Sequence, residues 1–520
     1  MSLPNLRPFD PKYDRETEGV LLAVFAPFGS DNALSTYPDG STHSIAQHPL
    51  VHNLLKVAAK GVHVSALIDL ADDDSYLVDI PACNPAEMQV TSVWKLDMTS
   101  PRTLAGFIGH ASRKAPEAGL VLALEGHGAG YLPEIDARKL TSQCVTGDGQ
   151  FQWRIEGGTA NVFLSANGEP VVGQGAPLLP VPCPTLPGNS PVMSTYGLGA
   201  ALKMAEEAGA RKIAVIHFNN CFNLSAEVMH TVAPHAHYAT GYANYNFFTA
   251  GETYPVVFEQ LRIADAATQE QLATWFAFAN RDLLGAKGNH PTMGGVVPLA
   301  DMSQVAECID DLSDALLASL RTATAADRPL VVGKIRQAIK DAQQYDTEST
   351  QELEAPDELT DLRSLAVELQ KYDFGPCKVA ATAQALALVL SGIQRYGAND
   401  RPWTDLSVRW DFANKPLAMN IFLPDPLRMG LWDWRSPYYL DINPDPTKPL
   451  VQPHVIEFLK VTDWVDFIIE YHAGAKFVGL LPAAIPDFPV YNPGFKPPRP
   501  DHDNCPPPPT HNPGVNAGKR

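Results

Sequence analysis

Four apolar runs of strand length lie in the first half of the chain and predict the strands of one sheet. They begin at Val20, Val62, Gly119 and Lys212, and each ends in small or polar residues. Continuous apolar runs are typical of strands that are buried on both faces, as in parallel sheets. Segments with apolar residues at helical spacing separate the runs. This alternation predicts an α/β fold, a mostly parallel sheet flanked by helices on both faces.

The pattern changes after residue 255. Residues 256–400 show apolar positions at spacings of three and four, which predicts a helical region that includes a helix over Lys378–Tyr396. Strand character returns at Leu417–Pro424, and Trp464 begins a last helix. From Pro489 the chain is rich in proline, which predicts a disordered tail. We therefore expect five parts: an arm (1–17), an α/β domain (18–255) with an insertion (131–195), a helical region (256–400), a C-terminal segment packing on the core (401–488) and the tail (489–520).

Composition limits the possible partners and the location. The chain has 520 residues and a net charge of −19, and no basic run is longer than a pair. We therefore expect no nucleic-acid or membrane partner. Its seven cysteines are scattered without a C-x-x-C pair, which favours reduced thiols. Because no export signal of the usual kind and no long apolar run is visible, we expect a cytoplasmic protein.

Two of the predicted strands end in residues with catalytic chemistry. His127 follows the third apolar run and Cys221 follows the fourth, at a predicted strand-to-helix turn where helix N–H groups would favour the thiolate. A thiolate, an acid–base group and oxyanion donors are what a cysteine peptidase requires. The N–H groups of Gly128 and Cys221 are the oxyanion candidates. His217 lies inside an apolar run, so we expect it to pack on a face of the sheet.

No metal ligands are assigned. The acidic residues between Asp69 and Asp79 lack the spacing of a calcium loop, and a solvated acidic turn explains them better.

Seven short blocks of sequence occur together in an order that is typical of one peptidase family. They are Ser30–Leu34, Thr99–Ile108, Glu125–Gly130, Asn219–Asn223, Gly251–Pro255, Asn420–Pro424 and Thr462–Phe467. Together they resemble the clostripain-like cysteine peptidases of the caspase/haemoglobinase-fold group. The resemblance implies a caspase-like catalytic domain over 18–255 and an endopeptidase that acts on proteins or peptides. It also implies that His127 and Cys221 form the dyad, beside a pocket for the P1 side chain.

Two departures from the family pattern bear on specificity. Members that cleave after Arg or Lys usually carry an acidic residue two places before the cysteine, where this chain has Asn219. An amide cannot neutralise a guanidinium, so the preference for a basic P1 residue stays open unless Glu252 supplies the missing carboxylate to the pocket. Near the histidine, Glu125-Gly126 replaces the usual aromatic-acidic pair. A calcium requirement, known in some relatives, stays open as well. Two alternatives remain: an inactive caspase-like binding or scaffold module, and a thiol amidase that acts on a small substrate.

Overall fold

The computed structural model describes sixteen stretches of the chain, and the structural statements below concern these residues: 6–7, 19–29, 45–70, 74–94, 96–128, 130–131, 152–155, 158–161, 193–246, 249–263, 267–288, 292–345, 359–398, 412, 414–423 and 456–477. The predicted tail (489–520) and most of the predicted insertion (131–195) lie outside them.

A nine-stranded sheet organises the fold. Its strands are β2 (Val20–Pro27), β3 (His63–Asp69), β4 (Asp74–Ile80), β5 (Gln89–Trp94), β6 (Gly119–Glu125), β9 (Ile213–Asn219), β10 (Ala236–Tyr242), β12 (Thr292–Pro298) and β14 (Gln394–Ala398). They lie side by side in the order β14-β12-β10-β9-β6-β2-β3-β4-β5. The five central strands, from β10 to β3, are parallel, and two antiparallel strands flank them at each edge. The predicted α/β class is confirmed.

Three two-stranded pairs stand outside this sheet. They are β1 (Leu6–Arg7) with β11 (Ala267–Thr268), β7 (Gln152–Ile155) with β8 (Gly158–Asn161), and β13 (Leu359–Asp361) with β15 (Asn420–Phe422).

Twelve α-helices are described, and local sequence explains where several of them begin. They are α1 (Pro49–Ala58), α2 (Pro101–Lys114), α3 (Thr195–Glu207), α4 (Ala226–Val232), α5 (Tyr254–Ile263), α6 (Gln269–Gly288), α7 (Met302–Thr322), α8 (Arg328–Asp341), α9 (Leu362–Leu369), α10 (Val379–Leu390), α11 (Glu457–Val461) and α12 (Trp464–Phe477). Proline occupies the first position of α1 and α2, where a missing N–H costs nothing. The hydroxyls of Ser194 and Ser225 accept hydrogen bonds from the first turns of α3 and α4.

The sheet separates two hydrophobic clusters, one on each face. Alternate residues of β6 belong to different clusters: Leu122 and Leu124 pack with α2, α3 and α4, while Val121 and Ala123 pack with α1, α5 and α6. This alternation follows from the two-residue period of a strand. We call these the α3 face and the α5 face.

The sheet edges depart from the sequence prediction. Within the predicted helical region (256–400), β12 and β14 instead form one edge of the sheet. The helix predicted over Lys378–Tyr396 ends at Leu390, and its last residues belong to β14. The hydrogen bonds of β12 and β14 join parts of the chain that are distant in sequence, so local periodicity does not reveal these strands. None of the helices in the described ranges combines the length and apolar composition that crossing a bilayer requires.

Candidate active site

The loops that carry His127 and Cys221 follow the carboxyl ends of two neighbouring parallel strands, so they begin on the same side of the sheet. Strands β6 and β9 pair in a register that sets Glu125 opposite Asn219. His127 and Cys221 each lie two residues beyond this last pair. The carboxyl ends of adjacent parallel strands are a common place for catalytic groups.

The two loops are in contact at Gly128. A Cβ atom added to this glycine would lie 2.2 Å from the carbonyl oxygen of Cys221 and 3.0 Å from its nitrogen. Only a residue without a side chain allows this approach. The structure thereby brings two of the predicted site residues, Gly128 and Cys221, into contact, and His127 directly precedes this contact in the chain.

The turn after Cys221 is held in an unusual backbone conformation. Phe222 has a φ of 61°, a region that disfavours bulky side chains. Its N–H donates to the carbonyl of Asn244 at 3.0 Å, and its own carbonyl accepts from the side chain of Asn420 at 2.8 Å. Strained backbone of this kind persists where its surroundings hold it, and it is frequent at functional sites.

The sulfur of Cys221 faces the backbone of Asn246. The thiol is fully buried; its Sγ lies 3.2 Å from the carbonyl oxygen of Asn246 and 3.3 Å from its N–H. The sequence predicts a helix N-terminus here instead, but α4 begins only at Ala226. The donor that reaches the sulfur therefore belongs to the segment after β10, which sequence reasoning missed because that segment has no motif of its own.

A buried network of one acid and several amides lies on the α5 face beside this thiol. Glu125, 2% exposed, accepts from Asn219 Nδ2 at 3.1 and 3.0 Å and from the hydroxyl of Tyr254. The Asn219 oxygen accepts from the side-chain amide of Asn246 at 3.0 Å, whose oxygen accepts from Asn280 at 2.9 Å. Burial and the nearby carboxylate raise the pKa of Tyr254 well above its usual value, which keeps it a hydrogen-bond donor. The network connects Glu125 with the segment that contacts Cys221.

The two residues predicted to line the P1 pocket occupy different environments. Asn219 is 2% exposed and uses both ends of its amide inside the network. Glu252 is exposed, on the turn before α5. Neither borders the cleft described next, so their assignment to a P1 pocket stays a prediction.

A cleft of about 540 Å³, which includes its open mouth, lies beside His127 on the α3 face. It extends from the ends of β2, β6 and β9 to α2, α3 and α4. Asn220 and Asn223, the neighbours of the cysteine, border it as well. A concave site next to candidate catalytic groups is where a substrate side chain would bind.

His217 is fully buried in the α5 face and takes no part in this arrangement. Its ring stacks on Phe276 at 4.6 Å between centroids and meets Tyr254 edge-on. Neither ring nitrogen has a hydrogen-bond partner, and burial lowers its pKa from 6.5 to about 3. It is therefore a neutral core residue, and its predicted packing on a face of the sheet is confirmed.

The C-terminal segment supports the cysteine loop. The side-chain amide of Asn420, in β15, donates to the carbonyls of Phe222 at 2.8 Å and Ala243 at 2.9 Å. Next to it, the N–H of Phe422 donates to Glu227 of α4 at 2.9 Å. Asn420 thus joins the turn after Cys221 to the end of β10. In the sequence this residue stands only within the block Asn420–Pro424, and nothing in the local pattern predicts this role.

Within the ranges given above, no group of three or more His, Cys, Asp or Glu side chains is placed to hold a metal ion.

Comparison with known proteins identifies the class of fold. No protein-family model matches the sequence, and no curated protein matches it significantly. Among solved structures, a secreted C11 cysteine protease from Bacteroides thetaiotaomicron in complex with an irreversible peptide inhibitor matches with a TM-score of 0.50 at 12% identity, over 86% of this chain and 99% of the other.

Two further structures align less well. The B. thetaiotaomicron protease "iotapain" has a TM-score of 0.46 at 11% identity, over 78% of this chain and 93% of the other. An inactive zymogen C11 protease from Parabacteroides distasonis has a TM-score of 0.44 at 14% identity, over 78% and 92%.

The chain therefore has the fold of the C11, or clostripain-like, proteases, and the predicted resemblance is confirmed at the level of the fold. The cytoplasmic location expected from the sequence is wrong by this comparison. The matched protease is a secreted protein, which points against a cytoplasmic location.

Proposed function

We propose that the protein is a cysteine endopeptidase in which His127 and Cys221 form the catalytic dyad. The observation that carries the proposal is the contact of Gly128 with the backbone of Cys221, which holds the histidine loop against the cysteine loop. The fold shared with a protease crystallised with a peptide inhibitor supports a peptide substrate.

The proposed reaction uses these groups in turn. Cys221 turns its thiol from Asn246 toward the substrate, His127 takes the thiol proton, and the sulfur attacks the carbonyl carbon. The N–H groups of Gly128 and Cys221 stabilise the oxyanion. His127 then donates the proton to the leaving amine, which leaves a thioester. Water, deprotonated by His127, hydrolyses the thioester and restores the thiol.

A mixed library of fluorogenic peptides tests this proposal, with calcium or with a chelator present. We expect cleavage by the unaltered chain and loss of cleavage in both Cys221→Ala and His127→Ala. The matched control is Cys83→Ala, because Cys83 is an exposed free cysteine on a turn remote in sequence from the site. Cleavage that persists in Cys221→Ala would contradict the dyad.

One observation favours the inactive binding module instead. The Cys221 thiol has no exposed surface, and its sulfur already lies against Asn246. Alkylation by iodoacetamide, followed by peptide mapping, separates the two functions. An active site that opens will label Cys221 at a measurable rate, whereas an inactive module will label exposed Cys83 and leave Cys221 intact until the chain unfolds.

A further inference from the structure

The interior of the cleft beside His127 is largely apolar. Three strands and three helices each contribute a buried apolar side chain to its lining: Phe25, Leu124, Phe218, Leu104, Leu198 and Val228. The buried polar residues of the lining are Glu125, His127, Thr195 and Asn220. Apolar surface of this kind gains free energy when another apolar group displaces water from it.

The charge in the cleft does not suit a cation. Among the described residues that line it, Glu125 alone has a carboxylate. Leu124 and Phe218, the residues before Glu125 and Asn219, belong to the cluster of the α3 face. The strand period therefore directs Glu125 and Asn219 to the α5 face, where both carboxylate oxygens accept from Asn219 Nδ2 at 3.1 and 3.0 Å.

The amides at the border of the cleft are also engaged with each other. Asn223 Nδ2 donates to the Asn220 oxygen at 2.7 Å. A lysine or arginine side chain that entered the cleft would lose its hydration and find no free carboxylate in this lining, which is unfavourable.

We propose that this cleft is the subsite for a bulky apolar side chain, aromatic or long aliphatic, of a peptide residue next to the scissile bond. The proposal rests on the proposed peptidase function. In the proposed reaction His127 donates a proton to the amine of the scissile bond. A substrate side chain that binds beside His127 therefore belongs to one of the two residues that flank this bond. This preference differs from the basic residue that the sequence resemblance leaves open.

Quenched fluorescent peptides that vary only at the two residues flanking the scissile bond test the preference. At one of the two positions, kcat/KM for Phe, Leu or Met should exceed that for Lys, Arg or Glu by about tenfold to a hundredfold, the range that a hydrophobic pocket provides.

Two substitutions connect such a preference with this cleft. Leu198→Phe on α3 fills the interior and should lower kcat/KM for the Phe peptide about tenfold relative to the Ala peptide. Met204→Phe is the matched control, because Met204 lies on the same helix and is 39% exposed. Met193→Glu places a carboxylate at the half-buried border and should reverse part of the discrimination in favour of Lys. It serves as the second variant if Leu198→Phe does not fold.

The outcomes separate this proposal from the one on which it depends. If no peptide is cleaved in a Cys221-dependent reaction, the peptidase function itself fails. If peptides are cleaved with a preference for Lys or Arg, or with no preference, the peptidase function stands and the apolar subsite is overturned. An apolar preference that none of the cleft variants changes would also overturn it.

Discussion

Replacement of His217 by Phe tests whether a neutral, buried imidazole makes the fold sensitive to acid. The ring lies in the α5 face against Phe276 and Tyr254, and burial lowers its pKa from 6.5 to about 3. In the unfolded chain the ring takes up a proton below its ordinary pKa, whereas in the folded chain it does so only near pH 3. The contribution of His217 to stability is therefore present above the unfolded pKa and is lost as the pH falls below it.

The size of the effect follows from the two pKa values. At a pH below both values, the difference between them corresponds to a loss of roughly 5 kcal/mol in the free energy of unfolding, since one pKa unit is about 1.4 kcal/mol. Between about pH 7.5 and about pH 5 the loss from this one group is about 2 kcal/mol. Phenylalanine has a similar shape and cannot be protonated, so His217→Phe should remove this part of the pH dependence.

Other groups titrate in the same window, so the parent chain alone does not isolate the effect. Asp361, whose pKa burial raises to about 6, has the opposite sign. It holds its proton more tightly in the folded chain, and its contribution is lost as the pH rises through that value. The informative quantity is the difference between parent and variant in urea unfolding at several pH values. The same substitution at exposed His52 is the matched control. Equal losses of stability in the parent and in His217→Phe between pH 7.5 and 5 would refute the reasoning.

The contacts around the candidate cysteine determine the outcome of three other experiments. Gly128→Ala puts a methyl group 2.2 Å from a carbonyl oxygen, whereas Gly106→Ala on α2 meets no heavy atom within 4 Å. The first should abolish cleavage and destabilise the fold by about 1–3 kcal/mol, and similar melting and activity in both variants would contradict the contact. Asn219→Asp sets two buried carboxylates side by side and should lower the free energy of unfolding by about 2 kcal/mol or more. Adding Glu125→Gln exchanges acid and amide and should restore most of this loss, and a double-mutant cycle without coupling would exclude the network. Asn420→Ala removes the hydrogen-bond donor to two buried carbonyls, so it should lower the free energy of unfolding by about 2–4 kcal/mol, as measured in urea. It should also lower peptidase activity, measured as kcat/KM. Unchanged values would show that this amide does not support the cysteine loop.

The sequence was sufficient for the centre of the sheet and insufficient for its edges. The apolar runs at Val20, Gly119 and Lys212 are long and uninterrupted, and each is a central parallel strand in the structure. Strands β12 and β14 complete the sheet on one side, and both pair antiparallel with strands that are distant in sequence. Periodicity reports which faces of a segment are buried, and it carries no information on the partner that buries them.

The candidate site divides in the same way. The sequence by itself determined that His127 and Cys221 follow strands of one α/β sheet, because an apolar run that stops at polar residues is a local property. Only the tertiary structure decided that Gly128 packs on Cys221 and that Asn246 faces the sulfur of Cys221. It also decided that Asn420, 198 residues after Phe222, binds the turn that follows Cys221. These contacts join segments that only the fold brings together. A buried amide pairs with whichever polar group the packed chain places beside it, and local sequence does not specify that partner.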